Sequence, residues 1–353
     1  MSRKQVAIIG TDSISKAHIA AWKRISDRCE VVACCDLDGD KTQRFAETYG
    51  IPRVYTDSAE MMAREHLDCV SVCTWNSSHE EVTLNALRGG AHVLCEKPMA
   101  INTAQAEKMA AAARESGRLL QIGFIRRFGQ DAETVKRLSE AGVMGDIYYG
   151  RTHFLRRNNA PGSWFNDKAY SGGGPMIDIG VHMVDLCRYL AGNPKPVSVY
   201  AAAFDHLRNQ KILGEKADWE VEAGKKPFKN DVETMASAMI RFENGFVLHV
   251  EVSSALNVLE PGKNIELFGT RAGVKIGAQV ECCSTLAGMQ VITVPTMPTA
   301  FRHEEACAAE IRSFVDAIDG APCLATAEDG VEMMRIIDAV YESARTGNQV
   351  TIR

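Results

Sequence analysis

The chain has 353 residues, 46% hydrophobic and 24% charged, the balance of a globular protein with enough apolar material for a packed core. Forty basic residues against 45 acidic ones leave a formal charge of -5, without the clustered basic face that nucleic-acid binding requires. No apolar run approaches the roughly 18–20 residues of a membrane span, and the opening MSRKQVAIIG lacks a signal peptide's long apolar stretch, so a cytoplasmic, two-domain protein is expected.

In chain order, Gln5 to Ile9 reads as a buried strand and Ser13 to Ser26 as a helix, and Glu30 to Cys35 with Asp40 to Tyr49 repeats the pair. Strands at Cys69 to Cys73, His92 to Cys95 and Leu119 to Gly123 follow, with helices at Glu80 to Arg88 and Thr103 to Ser116. Continuous β-branched runs alternating with amphipathic helices predict a doubly wound parallel sheet covered on both faces. Beyond residue 125 the rhythm changes. Helices are expected at Asp131 to Glu140 and from about Met176 to Leu190, and a strand at Ile147 to Phe154. Further strands are expected at Val197 to Ala203, Thr234 to Phe242, Phe246 to Ser253, Asn264 to Gly269 and Gly273 to Ile276. Glu243-Asn244-Gly245 carries the Asn-Gly signal of a two-residue hairpin turn. Helices at His303 to Asp319 and Ala327 to Thr346 and a strand at Gln349 to Ile352 close an α+β domain with a largely antiparallel sheet, and Leu207 to Lys229 reads as a mobile loop.

The 11 cysteines form an odd set with no Cys-x-x-Cys pair, and several lie in apolar runs such as VVACCD and CVSVCTW. They are expected to be reduced and structural, behaving as small buried hydrophobes.

Four stretches carry chemistry. Gly10-Thr11-Asp12-Ser13-Ile14-Ser15 lies between the first strand and helix, where free amides and the positive helix end favour a phosphate. Only Gly10 matches the Gly-x-Gly-x-x-Gly fingerprint, because Asp12 and Ser15 hold the other positions, so a plain turn capped by Ser13 or Asp12 fits as well. Asp36 ends the second strand, where a carboxylate accepts bonds from the adenosine ribose hydroxyls and repels a 2′-phosphate, favouring NAD over NADP; a solvated strand-end Asp is the alternative.

Cys95-Glu96-Lys97-Pro98 ends another strand, at the edge where parallel sheets bind ligands. Lys97 there suits a proton or hydrogen-bond donor to a hydroxyl or carbonyl, and equally a surface pair with Glu96. In GGGPMIDIGVHMVD, Asp178, His182 and Asp185 share one helix face, so a carboxylate is placed to orient an imidazole as general base, while the glycines admit a ligand close to the backbone. A surface ion pair is the competing reading, and no metal site is expected, because no further His or Cys is close in sequence.

These residues lie in VAIIGTDSISKAH, VVACCD, SSHEEVTLNALRGGAHVLCEKPMA, GGGPMIDIGVHMVDLCRYLAG and AEDGVEMMRIIDAVYESARTGNQVTI, in order from residue 6 to 352. The set resembles the Gfo/Idh/MocA family, the glucose–fructose oxidoreductase and inositol dehydrogenase group. The resemblance implies an α/β Rossmann domain over 1–125 binding NAD. It further implies an α+β substrate domain over 126–353, whose open, largely antiparallel sheet makes homo-oligomer contacts in a dimer or tetramer.

By the same resemblance the cofactor meets Gly10, Thr11, Asp12, Ser13, Ile14, Asp36, Thr74, Trp75, Asn76, His79, Glu96 and Lys97, and the catalytic residues are Lys97, Asp178 and His182, with Asp185 in support. Trp75 stands where the family often has Pro, to stack near the cofactor or simply to pack. Arg156, Arg157, Asn158, Asn159, Trp164, Asn166 and Asp167 crowd the segment before the glycines. Hydrogen-bonding side chains with an aromatic platform suit a sugar or cyclitol, the arginines also suit a carboxylate or phosphate, and a solvated polar loop has the same composition. Substrate contacts are therefore expected from Arg156, Asn158 and Trp164 with Lys97, Asp178 and His182.

The leading reading is an NAD-dependent oxidoreductase acting on a secondary hydroxyl of a sugar, sugar derivative or inositol. A redox-neutral glycosidase or lyase that retains NAD, and a non-catalytic dinucleotide-binding regulator, are the alternatives.

Overall fold

The computed structural model describes residues 3–158, 160–210 and 227–352. In it the apolar runs of the first 125 residues pair as a parallel sheet of β1 (Lys4–Ile9), β2 (Cys29–Cys35), β3 (Arg53–Tyr55), β4 (Cys69–Val72), β5 (His92–Glu96) and β6 (Leu120–Gly123), in the order β3-β2-β1-β4-β5-β6. The crossovers are α1 (Ser13–Lys23), α2 (Gly39–Tyr49), α3 (Ser58–Arg64), α4 (His79–Arg88) and α5 (Thr103–Ser116). Val6, Ile8, Val70 and Val93 are fully buried, as strands covered on both faces require. The order reverses between β1 and β4, the switch point at which such sheets bind ligands beyond their carboxyl ends. β3 and α3 are additions to the sequence reading: β3 has three residues with Arg53 exposed, too short and polar to register as an apolar run.

The chain continues through α6 (Gln130–Glu140), β7 (Ile147–Leu155), α7 (Lys168–Ser171), α8 (Val181–Leu190), β8 (Pro196–Phe204), β9 (Met235–Phe242), β10 (Val247–Ser253) and β11 (Gly262–Gly269). After these come β12 (Ala272–Ile276), β13 (Val280–Leu286), β14 (Met289–Thr293), α9 (His303–Ile318), α10 (Ala327–Thr346) and β15 (Val350–Thr351). A second sheet runs β14-β13-β12-β11-β7-β10-β9-β8-β15, antiparallel except for the β7–β10 pair. Its strands alternate: Ala236, Ala238, Ile240 and Phe242 of β9 point inward while their neighbours do not.

The β9–β10 turn departs from the two-residue expectation. Only Gly245 has positive φ, and its amide donates to Phe242 O, so the loop has three residues with glycine in the left-handed position. β13 and β14 were not anticipated because this edge has little buried face; Met289 and Ile292 are exposed. Most of the segment expected to be a mobile loop, residues 211–226, lies outside the described residues, as does Asn159.

Contacts divide the chain into residues 1–125 with 303–334, and 126–302 with 335–353. This corrects a single cut after 125: α9 and the first turns of α10 pack on the Rossmann unit. Trp22 of α1 meets Phe314 of α9 edge-on at 6.3 Å, and Gln121 of β6 bridges to Thr326. All 11 cysteines are free, nine of them buried, and burial pushes the thiols of Cys34, Cys35 and Cys95 up to about 12.

Glu310 of α9 faces inward at 0% exposure, and among the described residues neither carboxyl oxygen has a hydrogen-bond partner. Burial, reinforced by repulsion from Glu96, holds its pKa well above the ordinary glutamate range, so the carboxyl keeps its proton. A raised folded-state pKa contributes stability that is full below the ordinary glutamate pKa and is lost as pH climbs toward the folded value. Glu310→Gln is therefore expected to gain stability over the parent from about pH 4.3 upward, by at most about 1.4 kcal/mol per pH unit before levelling. Urea denaturation across pH checks this, and a stability difference that does not change with pH contradicts it.

Candidate active site

The turn after β1 is built around backbone constraints. Gly10 has a φ of 92°, and a side chain there would collide with the Cys73 carbonyl at the end of β4. Its amide donates to Cys35 O at 2.8 Å, tying β1 to β2. Thr11 follows, its amide and hydroxyl both donating to Asp36 Oδ2, at 2.8 and 3.1 Å. Asp12 precedes α1 without capping it, which leaves the amides at the start of that helix, where Ser13 and Ile14 lie, without a side-chain cap among the described residues.

The Asp12 carboxylate instead meets Lys41 Nζ at 3.1 Å, and the same ammonium lies 2.9 Å from Asp36 Oδ2. Lys41, in the first turn of α2, thus compensates the carboxylate that stands at the usual glycine position. Burial works to raise the Asp36 pKa, but Lys41 and the Thr11 amide outweigh it and the net shift is downward. Among the described residues Asp36 Oδ1 accepts only a 3.3 Å bond from the Asp38 amide, leaving acceptor capacity for ribose hydroxyls. An uncapped helix end for an anion and an ionised strand-end acceptor fit a dinucleotide.

At the end of β5, Glu96 is buried. Its Oε1 is 2.9 Å from His18 Nε2, and its Oε2 accepts the Lys97 amide at 3.2 Å. Lys97 is half-buried and joined to Pro98 by a cis peptide. Thr74 and Trp75 are half-buried and Asn76 is buried, in the turn after β4. His79 differs from expectation: it is 0% exposed, and its ring nitrogens lie 2.8 Å from Pro98 O and 3.1 Å from Thr74 O. Burial lowers its pKa against the pull of both carbonyls. The buried imidazole therefore lies between two turns, its single N–H given to one of the two carbonyls, instead of presenting itself to a cofactor. The Glu96 carboxylate is likewise engaged within the protein, by His18 and the Lys97 amide.

In the second unit, Met176–Gly180 winds as a π-turn leading into α8, with the Val181 amide donating to Met176 O five residues back. It carries Asp178, and His182 lies in the first turn of α8, both half-buried. The glycines ahead of them do not make room for a ligand. A side chain on Gly173 would collide with the Tyr341 hydroxyl, and one on Gly174 with the Glu233 carbonyl. Glu233 holds the turn, accepting the Gly174 and Met176 amides at 2.9 and 3.1 Å and the Tyr341 hydroxyl at 2.9 Å.

Asp185 is taken by Arg127 in a two-pronged pair at 2.6 and 2.9 Å, with both side chains essentially buried. Arg156, Phe165, Asn166, Asp178 and Ser254 line a cavity of about 20 Å³, room for roughly one water. Trp164 is no platform: it is buried at 8% exposure and stacks on Phe165 at 3.8 Å, leaving Phe165 as the lining ring. Asn158 pairs through its backbone with Ala255, and Asp167 accepts the Ala169 and Lys229 amides, both structural roles.

Sequence reasoning missed Lys41, Glu233, Arg127 and Phe165. Lys41 had a signal, a cation directly after the acidic run Asp36-Leu37-Asp38-Gly39-Asp40; Glu233 had none, because its partners are at least 57 residues away.

A 3-2-1-4-5-6 parallel sheet with a glycine turn and an ionised strand-end carboxylate defines a dinucleotide-binding Rossmann protein. The chain belongs to the GFO/IDH/MocA oxidoreductase family: residues 4–124 match its NAD-binding Rossmann fold and residues 132–275 its C-terminal domain. It is 34% identical over 352 residues to D-glucoside 3-dehydrogenase of Escherichia coli (strain K12), across 99% of this chain and 97% of that protein. It is 26% identical to myo-inositol 2-dehydrogenase of Thermotoga maritima, across 92% of each. Levoglucosan dehydrogenase in complex with NADH shares the fold, with a TM-score of 0.85 over 100% of both chains at 22% identity.

Two substitutions test these assignments. Lys41→Ala leaves two carboxylates uncompensated beside the helix end, and is expected to weaken NAD binding by about 1 kcal/mol, roughly fivefold, in calorimetric titration. Adding Asp12→Gly should recover much of the loss. Asp185→Ala strands a buried guanidinium and is expected to cost about 3–5 kcal/mol of stability in urea denaturation.

Proposed function

We propose that the protein is an NAD-dependent oxidoreductase transferring hydride between nicotinamide and a secondary hydroxyl or ketone of a sugar, sugar derivative or cyclitol. The observation that carries the cofactor half is the Thr11–Asp36–Lys41 arrangement beside an uncapped α1. The substrate half is supported by the names of the E. coli and T. maritima relatives, a glucoside and an inositol dehydrogenase.

Bound dinucleotide supplies nicotinamide C4 as hydride acceptor or donor. In the oxidation direction His182 takes the hydroxyl proton, and Asp178 orients the catalytic pair. Lys97 donates a hydrogen bond to the oxygen as negative charge develops on it. Asp185 acts at a distance, holding α8 through Arg127.

Tyr148, Tyr200 and Met239 of the second sheet region are 49–58% exposed, which supports the homo-oligomer, a dimer or tetramer, that the family resemblance implies. Among the described residues no helix is long and apolar enough to cross a membrane, and the free cysteines support a cytoplasmic setting.

Screening sugars, uronates and inositols for NADH absorbance, with product analysis, tests the reading; turnover without NADH accumulation identifies the redox-neutral alternative instead. On the substrate found, Lys97→Ala and His182→Ala should each lower kcat by about 10²–10⁴-fold, with the NAD Kd within about threefold of the parent. Parental turnover by either variant removes that residue from the mechanism.

A further inference from the structure

Beneath the turn that carries Lys97, the first unit buries a row of polar side chains that the mechanism above does not use. Trp22 Nε1 donates to Ser71 Oγ at 2.9 Å; Ser71 Oγ is 3.2 Å from His18 Nδ1; His18 Nε2 is 2.9 Å from Glu96 Oε1; and Glu96 Oε2 accepts the Lys97 amide at 3.2 Å. Trp22, Ser71 and His18 are at most 1% exposed, and Glu96 is 9% exposed. The direction of the chain follows from donor chemistry. An indole N–H only donates, so it takes a lone pair of the Ser71 hydroxyl. The hydroxyl proton then goes to His18 Nδ1, its one other partner among the described residues. That places the imidazole proton on Nε2, donated to Glu96.

Glu96 is also confined sterically: Gly123 lies opposite it on β6, and a side chain there would press on Glu96 Cα and Cδ at 3.1 and 3.2 Å. The row thus runs unbroken from the Trp22 indole to the amide of the lysine assigned to the reaction.

We propose that His18 is a positioning residue that acts through Glu96, fixing the carboxylate that holds the Lys97 amide and so the direction in which Lys97 leaves the end of β5. The proposal rests on the assignment of Lys97 above. Glu96 is the charged member of the buried carboxyl pair and Glu310 the protonated one. The titratable groups around the pair are His18, His79, Lys97 and Cys95 beside Glu96, with Cys73 and Cys307 facing both carboxyls. His18, Cys307 and Glu310 also bring ligand-type atoms within 4.8 Å of one another. A metal there would need the His18 nitrogen or the Glu96 contact that the chain already uses, which favours positioning over ligation.

The test compares two isosteric partial replacements. His18→Gln retains a donor near the Nε2 position, whereas His18→Asn retains only the Ser71 side. His18→Asn is expected to lower kcat about tenfold, with the substrate KM and NAD Kd within about twofold, and to speed amide hydrogen exchange in residues 92–101. His18→Gln should stay within about threefold of the parent in kcat, with parental exchange. Glu96→Gln, which cannot accept from both neighbours, should reproduce His18→Asn and serves if that variant fails to fold.

Equal behaviour of the Asn and Gln variants, or lost kcat with unchanged exchange, overturns the proposal alone. Parental turnover by Lys97→Ala overturns the assignment beneath it, and the proposal with it. Stoichiometric zinc in the purified parent that is lost on Cys307→Ser overturns it in favour of a metal site.

Discussion

A carboxyl group withdrawn from water must find donors, a cation or a proton, and this protein's architecture answers that requirement five ways. Asp36 takes the Thr11 amide and hydroxyl and an ammonium. Glu96 takes an imidazole and an amide. Asp185 takes a guanidinium on two prongs, and Glu233 two backbone amides and a phenol. Glu310, with no donor for either oxygen, keeps its proton. Four of the five bear on a segment with a proposed role. Asp36 ties the glycine turn to β2, Glu96 holds the amide of Lys97, Glu233 anchors the π-turn carrying Asp178, and Asp185 pins the helix carrying His182. The acids that look catalytic by composition are in large part the ones that hold others in place.

The same requirement explains how the chain departs from the glycine-rich fingerprint without losing the fold. A carboxylate at position 12 beside a phosphate-binding helix end is unfavourable by itself. Lys41 removes much of that cost by pairing with Asp12 and Asp36 together. Because two carboxylates share one ammonium, a change at any of the three side chains is felt at the others. The identity of residue 12 is therefore readable only with residue 41.

The glycines teach a related point. Gly10, Gly173 and Gly174 stand in segments where a ligand's approach is the natural explanation for a missing side chain, yet in each the space belongs to the protein itself: the Cys73 carbonyl, the Tyr341 hydroxyl and the Glu233 carbonyl. Close packing of backbone against distant elements imposes the same residue choice as a cofactor would. His79 and Trp164 follow this pattern, side chains of binding type whose polar atoms or rings are consumed internally.

What the sequence by itself determined is what periodicity and local chemistry encode. It carried the parallel and antiparallel sheets, nearly every helix, the strand-end placement of Asp36 and Lys97, and the helix bearing Asp178 and His182, because burial on two faces or one writes its period directly into neighbouring residues. β3, β13 and β14 escaped because short or exposed strands leave no such period. Only the tertiary structure decided which polar residues are spent on packing. It returned α9 to the Rossmann unit, and through hydrogen bonds spanning 57 to 78 residues of sequence it gave Asp185 to Arg127, Glu233 to the π-turn amides and His18 to Glu96. A buried polar group is satisfied by whatever donor the fold brings within about 3 Å, and that distance in space has no counterpart in the order of the chain.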